Sequence, residues 1–279
     1  MPELPEVEYV ARQLRAAVLG RRITHAAVLW ARTVTPMDAR EFEARVSGQR
    51  ITSINRRGKH LIVVLDGGDA LAIHRRMSGN LILERAREEA LYVRVAFTLD
   101  DGQLLLFTDP RKFGRVTLTS NGEIERSLAE LGPEPLAPDF TAAVLAERLG
   151  ASRRAIKAAL LDQRIVAGLG NIYADESLFH ARIHPLRPAG SLNRREVTAL
   201  REAIVATLLN GIEHGGTTFG RHRDIYNEAG SNLEHVQVYR RTGKPCPRCG
   251  TPITRITVAQ RGTHFCPKCQ RLRGASSRP

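Results

Sequence analysis

The stretch CPRCGTPITRITVAQRGTHFCPKC, from Cys246 to Cys269, contains all four cysteines of the chain. Its pattern is C-x2-C, sixteen intervening residues, and a second C-x2-C. Two such pairs supply four thiolates, the ligand set of a closed tetrahedral zinc site. The alternating residues ITRITV, followed by QRGT, predict a β-hairpin between the pairs. We therefore predict that Cys246, Cys249, Cys266 and Cys269 bind one structural zinc ion and leave no coordination position open for catalysis.

The alternative for these cysteines is two disulfide bonds, which a reducing cytosol disfavours. The first residues of the chain are acidic and lack the apolar region of a signal peptide. The longest aliphatic run, LIVVL at 61–65, is too short to cross a bilayer. We therefore expect a cytoplasmic protein without a membrane partner.

The composition is that of a globular protein with a strong positive charge. Hydrophobic residues make up 42% of the 279 residues, and 42 Lys and Arg face 29 Asp and Glu, a net charge of +13. Such an excess favours a polyanionic partner such as nucleic acid over a small neutral substrate. An arginine-rich proteome, which would raise the charge of every protein, is the alternative explanation.

The first half of the chain changes from a helical to a strand pattern. Apolar residues over 5–18 recur at helical spacing, between Pro5 and Gly20. From 23 to about 118 short β patterns follow, and their spacing predicts a sandwich. The candidate strands are ITHAAVLW, QRITSINR, HLIVVLD, ALAIHR, NLILE, LYVRVAFTL and QLLLFT.

The second half is mostly helical. The proline-rich segment LGPEPLAPDF (131–140) indicates a linker. The helical patterns after it are AAVLAERL, SRRAIKAALLD, NIYADESLFHA and the residues 193–214. A glycine-rich loop (215–232) and a short predicted strand, VQVYR, precede the cysteine hairpin.

The amino end, MPELPEVE, carries a candidate nucleophile. If Met1 is removed, Pro2 has a free secondary amine, and its attack on an aldehydic sugar carbon gives an iminium that draws electrons from the adjacent carbon. Glu3 beside it could protonate a ring oxygen or a leaving group. Lys59, in the turn RRGKHL, would lower the pKa of a nearby amine. The alternatives are an amino terminus without a chemical role and a solvated basic turn.

Two predicted turns contain a large apolar side chain where a turn residue would be polar. Met77 in LAIHRRMSGNL fits either the core or a wedge that enters a base stack. Phe113 in TDPRKFGR lies beside Arg111 and Lys112, which suits stacking on bases with phosphate contacts. A core phenylalanine at a strand start is the alternative.

Two further stretches are candidates for phosphate or groove contacts. In GLGNIYADESLF, Gly168 and Gly170 precede a helix start, where backbone N–H groups and Asn171 could hold one phosphate. The alternative is an ordinary glycine turn with Asn171 as the helix cap. In QRGT, Arg261 is expected at the hairpin tip, either in a DNA groove or in solvent.

Taken in order, PELPEVE, GKH, H-x-x-M-S-G, DPRKFGR, LGPEPL, GLGNIYADESLF and the final hairpin with AQRGTHFC resemble the formamidopyrimidine-DNA glycosylase and endonuclease VIII family. The resemblance covers essentially the whole chain. It implies an α+β protein with an N-terminal β-sandwich flanked by helices, a helical domain with a helix–two-turn–helix, and a four-cysteine zinc finger. The expected parts are the sandwich at 1–130, the linker at 131–140, the helical domain at 141–235, the zinc finger at 236–272 and a tail at 273–279.

The resemblance also implies roles for individual residues. Pro2 matches the Schiff-base nucleophile, Glu3 the general acid–base, and Lys59 the catalytic lysine on the phosphate side. Arg261 joins this catalytic set through its contact with the phosphates of the lesion region. The residues expected at the DNA are Glu6, His74, Met77, Arg111, Lys112, Phe113, Asn171 and Tyr173.

The implied reaction is excision of a damaged base followed by β- and δ-elimination, on double-stranded damaged DNA and by a monomer. The PELPEV start is similar to the oxidised-purine branch, whose substrates are 8-oxoguanine and formamidopyrimidines. One alternative is an endonuclease VIII-like enzyme for oxidised pyrimidines. Another is a non-catalytic homologue that binds damaged DNA.

Two segments depart from the family's pattern. Arg75 and Arg76 in HRRM stand where relatives often have a small, neutral pair such as Leu-Gly. The loop FGRHRDIYNEAGSN (219–232) differs from the usual lesion-capping loop and lacks its Asp-Gly-x-Pro-Gly turn. These departures bear most on lesion preference.

Overall fold

The computed structural model describes residues 1–85, 90–218, 220 and 222–272. The chain divides into two compact units. The first is Met1–Glu130 with Gly211–Leu233, and the second is Leu131–Asn210 with Glu234–Pro279. The predicted four-part division with its linker stays a prediction, and the predicted tail at 273–279 lies outside the described residues.

The first unit opens with the helix α1, Leu4–Val18. Glu3 and Glu6 form a capping box at its start, which satisfies backbone N–H groups of the first turn. Leu14 and the other apolar residues at helical spacing are buried, and Gly20, at a φ of +80°, follows the end of the helix. The predicted helix at 5–18 is therefore confirmed.

Two antiparallel four-stranded sheets follow α1 along the chain. The strands are β1 (Ile23–Val28), β2 (Ile51–Arg57), β3 (His60–Leu65), β4 (Asp69–His74), β5 (Asn80–Glu84), β6 (Val93–Leu99), β7 (Leu104–Thr108) and β8 (Arg115–Ser120). Their orders in the two sheets are β1-β6-β7-β5 and β2-β3-β4-β8. Side chains from both sheets and from α1, among them Leu61 and Phe97, form one buried cluster. The predicted sandwich is confirmed.

Sequence reasoning missed three elements of this unit. The strand β8 (Arg115–Ser120) alternates valine and leucine with threonine, and this weak apolar signal hid it. The helix α2 (Ala39–Val46) interrupts the region that we predicted as strands, and α3 (Asn121–Ser127) follows that region. Both helices are short, and each buries only one or two residues, so neither gives a long periodic pattern.

The second unit contains short helices and one hairpin. Its elements are α4 (Ala142–Leu149), α5 (Ile156–Leu160), α6 (Asn171–His180), most of α7 (Arg194–Glu213), β9 (Thr254–Val258) and β10 (Arg261–Phe265). The predicted helix SRRAIKAALLD is helical only over α5, because Ala155 before it pairs with Pro188 in a β-bridge. No helix in the described ranges is long and apolar enough to cross a membrane.

The predicted strand VQVYR is wrong. Its backbone N–H groups donate to the buried carboxylate of Glu176 in α6, from Gln237 at 2.8 Å, Val238 at 3.0 Å and Tyr239 at 2.8 Å. Three successive donors directed at one side chain cannot also form a strand ladder. The segment is therefore a loop that surrounds a carboxylate.

Candidate active site and zinc centre

The amino end of the first unit is enclosed and held by one carboxylate. Pro2 and Glu3 are buried. Glu6 accepts the backbone N–H of Glu3 at Oε2 and that of Thr217 at Oε1, each at 2.7 Å. Gly216, at a φ of +79°, has no room for a side chain, because a Cβ there would lie 2.7 Å from Cγ of Glu6. The glycine lets the backbone approach the carboxylate that fixes the chain start.

The surroundings of the amino terminus favour its neutral form. Burial lowers the pKa of the Met1 amino group, and the charges of Lys59 and Arg75 lower it further, against the opposite effect of Glu3 and Glu6. Lys59 is itself buried, at the turn between β2 and β3. A neutral amine retains the lone pair that a nucleophile needs.

Two neutral histidines lie side by side on β3 and β4. The rings of His60 and His74 meet edge to face, with centroids 4.6 Å apart. Burial lowers the pKa of His60 to about 4 and that of His74 to about 3. Nδ1 of His74 accepts the backbone N–H of Arg76 at 3.0 Å, which leaves the proton on Nε2. Both rings and Arg115 line a cavity of about 690 Å³.

The two predicted apolar turn residues are exposed. Met77 has 44% of its surface in solvent and Phe113 has 52%, so the core alternative is wrong for both. One side chain joins their turns: Asp109 accepts the Ser78 hydroxyl, and it accepts the backbone N–H of Gly114 at 2.7 Å. The turns that carry the two apolar side chains are thus held by one carboxylate.

The cations next to Phe113 have different partners. The guanidinium of Arg111 lies over the Phe113 ring, 5.1 Å from its centroid. Nζ of Lys112 instead lies 3.9 Å from the ring centroid of Trp30. Lys112 adopts a φ of +61°. Both cations are exposed, and of the two it is Arg111 that stacks on Phe113.

In the second unit, Asn171 is the first residue of α6 and not its cap. Gly170 takes the capping position, and Asn171 Nδ2 donates to the carbonyl oxygen of Gly262 at 3.0 Å. Arg261 is exposed at the start of β10, after a turn in which Ala259 and Gln260 have positive φ. The cap alternative is wrong, and the structure brings Asn171 to the residue that follows Arg261.

Tyr173 is only 1% exposed, and its ring belongs to the interior of the second unit. A contact between Tyr173 and a ligand would therefore have to involve its backbone, near the start of α6. Sequence reasoning placed the residue correctly on this helix and did not foresee the burial of its side chain.

A buried charged cluster, which sequence reasoning missed, supports the same hairpin. Lys157 and Asp175 are fully buried and form an ion pair. Asp175 also accepts the backbone N–H of His264 at 2.9 Å and faces its Nδ1 at 3.1 Å. Lys157 Nζ is 3.4 Å from the carbonyl oxygen of Gly262. The sequence indicates this cluster only through the placement of Lys157 in α5 and of Asp175 in α6 at positions where an apolar residue is expected.

The four cysteines form a zinc site. Their Sγ atoms all lie within 4.8 Å of one another. The Sγ–Sγ distance is 3.5 Å between Cys249 and Cys266 and 4.0 Å between Cys246 and Cys269. A tetrahedron with Zn–S bonds of about 2.3 Å has edges of roughly 3.8 Å. The thiolates therefore fit one structural zinc ion, and the disulfide alternative is wrong because the cysteines are free.

Three family models match successive parts of the chain. Residues 1–116 match the formamidopyrimidine-DNA glycosylase N-terminal domain, residues 131–222 match its H2TH domain, and residues 243–272 match the zinc finger found in FPG and IleRS. The chain belongs to the formamidopyrimidine-DNA glycosylase family. The formamidopyrimidine-DNA glycosylase of Chloroflexus aggregans is 52% identical, over 98% of this chain and 99% of the relative. The formamidopyrimidine-DNA glycosylase of Geobacillus kaustophilus is 46% identical, over 97% of this chain and 100% of the relative.

Solved structures of formamidopyrimidine-DNA glycosylases have the same fold. The MutM (FPG) protein of Thermus thermophilus is 41% identical, with a TM-score of 0.86 over 96% of this chain and 98% of that one. The Lactococcus lactis Fpg, in a complex with DNA that contains an abasic site, is 36% identical. The TM-score between the two structures is 0.90, over 97% of this chain and 100% of the Lactococcus lactis chain.

Proposed function

We propose that this chain is a bifunctional DNA glycosylase and abasic-site lyase that removes oxidised purines from double-stranded DNA. The observation that carries the proposal is the enclosed amino end, where Glu3 and Lys59 are buried around the chain start. A secondary amine in such a place is a suitable nucleophile for a sugar carbon.

In the first stage, Pro2 acts after Met1 has been removed. Its nitrogen attacks C1′ of the damaged nucleotide, and the bond from C1′ to the base breaks. Glu3 supplies a proton to the sugar ring oxygen or to the leaving base. The nitrogen loses its own proton, the sugar ring opens, and an iminium links C1′ to Pro2. Lys59, on the phosphate side, opposes charge on the free amine before attack and binds the DNA backbone.

In the second stage, the iminium draws electrons from C2′. Loss of a C2′ proton expels the 3′ phosphate, and a further elimination expels the 5′ phosphate. Water then releases the sugar fragment from Pro2. The strand is therefore broken on both sides of the lesion, and the enzyme returns to its starting form. Glu3 and water are the groups available to carry these protons.

The remaining predicted site residues hold the DNA in this proposal. Met77 and Phe113 fill the gap that the extruded nucleotide leaves, with Arg111 beside them. The other residues proposed to contact the DNA or its phosphates are Glu6, His74, Lys112, Asn171, Arg261 and, through its backbone, Tyr173. We also place the protein in the cytoplasm, at the nucleoid, because thiolate zinc ligands need a reducing compartment.

The lesion class rests on the relatives. They are named formamidopyrimidine-DNA glycosylases, and a mutant of Lactococcus lactis Fpg has been crystallised with DNA that contains Fapy-dG. The wild-type enzyme has also been crystallised with DNA that contains an oxidised pyrimidine. Oxidised pyrimidines are therefore the second substrate class to test.

Borohydride trapping tests the proposal. The protein, with its N-terminal mass measured, is mixed with an abasic-site duplex and with an 8-oxoguanine duplex, and the covalent adduct is counted. We expect adducts with both. Glu3→Gln should cripple excision from 8-oxoguanine more than reaction at a preformed abasic site, where no base has to leave.

An uncleaved N-terminal tag is the control, because it blocks the amine and leaves the DNA-binding residues in place. The tagged protein should bind DNA but neither trap nor cut it. If it traps at the normal rate, another amine is the nucleophile, most simply Lys59. If the untagged protein binds and never traps, the chain is a non-catalytic homologue.

A further inference from the structure

Arg75 follows β4, and its side chain is buried, with 2% of its surface exposed. Its guanidinium donates four hydrogen bonds: to the carbonyl oxygens of Gly79 at 2.9 Å, Glu6 at 3.2 Å and Arg223 at 2.9 Å, and to Oδ1 of Asn80 at 2.7 Å. All four acceptors are neutral. The planar fork of arginine, with its five donors, is what such a set of acceptors requires.

These acceptors come from three separate parts of the first unit. Glu6 is in the first turn of α1, Asn80 begins β5, and Arg223 belongs to the loop at 219–232. Asn80 Oδ1 also accepts the backbone N–H of Arg223, at 3.1 Å. The backbone of Arg223 is thus held at its N–H by Asn80 and at its carbonyl by Arg75.

The residues after Arg223 are fixed to α1 as well. Asp224 accepts a hydrogen bond from the Gln13 side chain at 2.8 Å, and the backbone N–H of Ile225 donates to the same side chain at 3.3 Å. Ile225 is fully buried in the core of the first unit. Three successive residues, from Arg223 to Ile225, are therefore anchored to the sandwich and to the helix that follows the proposed nucleophile.

The residue before them has an unused polar atom. His222 is 8% exposed, and its Nδ1 has no hydrogen-bond partner among the described residues. It lines a small cavity together with Glu6, Arg75 and Thr218. The anchored backbone therefore fixes an imidazole next to the carboxylate that holds the amino end.

We propose that Arg75 is a positioning residue that holds the segment 222–224 against α1 and thereby controls excision of an intact damaged base. The inference rests on the proposed function. Two departures from the family's sequence pattern, Arg75 and the loop at 219–232, are joined by a direct hydrogen bond. A base must be held while its bond to the sugar breaks, whereas an abasic site has no base to hold. Arg75 should therefore affect the first reaction and spare the second.

Two substitutions test this role. Arg75→Leu removes all four hydrogen bonds and introduces an apolar side chain of the kind that relatives often have at this position. Arg75→Lys keeps the charge but lacks the fork. In single-turnover reactions at saturating enzyme, we expect 8-oxoguanine release to slow by about tenfold or more in both variants. Trapping on an abasic duplex should change by less than about threefold.

The neighbouring arginine provides the matched control. Arg76→Leu removes the same charge from an exposed side chain and leaves the four hydrogen bonds of Arg75 intact. We expect it to keep the wild-type ratio of base release to abasic-site trapping. An equal loss of both reactions in Arg75→Leu, or no loss of either, would overturn the proposed role.

Hydrogen exchange without DNA gives a readout that is independent of activity. The amides of residues 223–225 should exchange faster in Arg75→Leu and Arg75→Lys than in the wild type and in Arg76→Leu. Unchanged exchange in Arg75→Leu would overturn this inference alone. A wild-type protein that reacts with neither duplex would instead overturn the proposed function.

Discussion

Asn171 donates its side-chain N–H to the carbonyl oxygen of Gly262 at 3.0 Å, which joins the start of α6 to the β9–β10 hairpin. Lys157 approaches the same oxygen from the interior. The backbone next to the exposed Arg261 is therefore held by an amide on one side and by a buried charge cluster on the other. Each support can be removed separately.

Asn171→Asp should weaken DNA binding more than Asn171→Ala. The aspartate replaces an N–H donor by an acceptor that faces the Gly262 carbonyl, and it adds a negative charge where we propose a phosphate contact. We expect a loss of about tenfold or more in affinity, measured by fluorescence anisotropy with a duplex that carries an abasic-site analogue. An aspartate variant that binds as tightly as the alanine variant would contradict the phosphate contact.

Lys157→Met should destabilise the second unit. It leaves the Asp175 carboxylate buried and without its cation, and breaking a buried ion pair in this way costs about 3–5 kcal/mol. Hydrogen exchange of α6 and β10 measures the loss. Lys244→Met is the matched control, because Lys244 is exposed. Equal protection of α6 in both variants would show that the pair does not support this unit.

Removal of zinc should unfold the hairpin and abolish DNA binding. The free energy of zinc binding by four thiolates is largely the folding free energy of so small an element. In Cys266→Ser, or after chelation, we expect β9 and β10 to lose protection from exchange while β3 in the first unit keeps it. Metal analysis of the purified protein should find one zinc ion per chain. A zinc-free protein that binds DNA normally would exclude this role.

The first unit should lose stability as the pH falls from 6.5 towards 4. Burial holds the pKa of His60 near 4 and lowers the pKa of His74 and of His222 to about 3. The unfolded chain, with ordinary histidine pKa values, therefore binds up to about three more protons than the folded unit over this range. More protons on the unfolded side means that the free energy of unfolding decreases with decreasing pH, by at most about 4 kcal/mol per pH unit.

Proton uptake on unfolding between pH 6 and 5 checks this sign, since most carboxylates titrate at lower pH. His222→Asn should reduce the uptake by about one proton. A free energy of unfolding that stays constant between pH 6.5 and 4 would mean that the imidazole rings of His60, His74 and His222 are not buried in neutral form.

Local patterns allowed much of the fold to be predicted. The spacing of Val7, Val10 and Leu14 is sufficient for α1, and the four-cysteine spacing is sufficient for the zinc hairpin. The wrong predictions concern segments whose structure depends on residues distant in the sequence. VQVYR has a strand pattern, but Glu176, far away in the chain, takes its N–H groups.

The candidate site was predictable to a similar degree. Pro2 and Glu3 stand out because their chemistry depends on the chain start itself, and the resemblance to a family strengthened that reading. The hydrogen bonds of Arg75 could not be predicted, since its acceptors are backbone groups of residues distant in sequence. The burial of Lys157 likewise depends on Asp175, which only the folded chain brings to it.

The hydrogen bonds of Asp109 affect how quickly the proposed enzyme can test the base steps of a duplex. Because this carboxylate fixes the turns of both Met77 and Phe113, neither side chain requires its backbone to be ordered on encounter. Ordering one residue costs about 1–2 kcal/mol of conformational entropy, and here folding has already met that cost. In the proposed function, Met77 and Phe113 therefore meet each base step from backbone that is already ordered, so that the resistance of the DNA stack, not reorganisation of the protein, distinguishes a weakened step from a sound one.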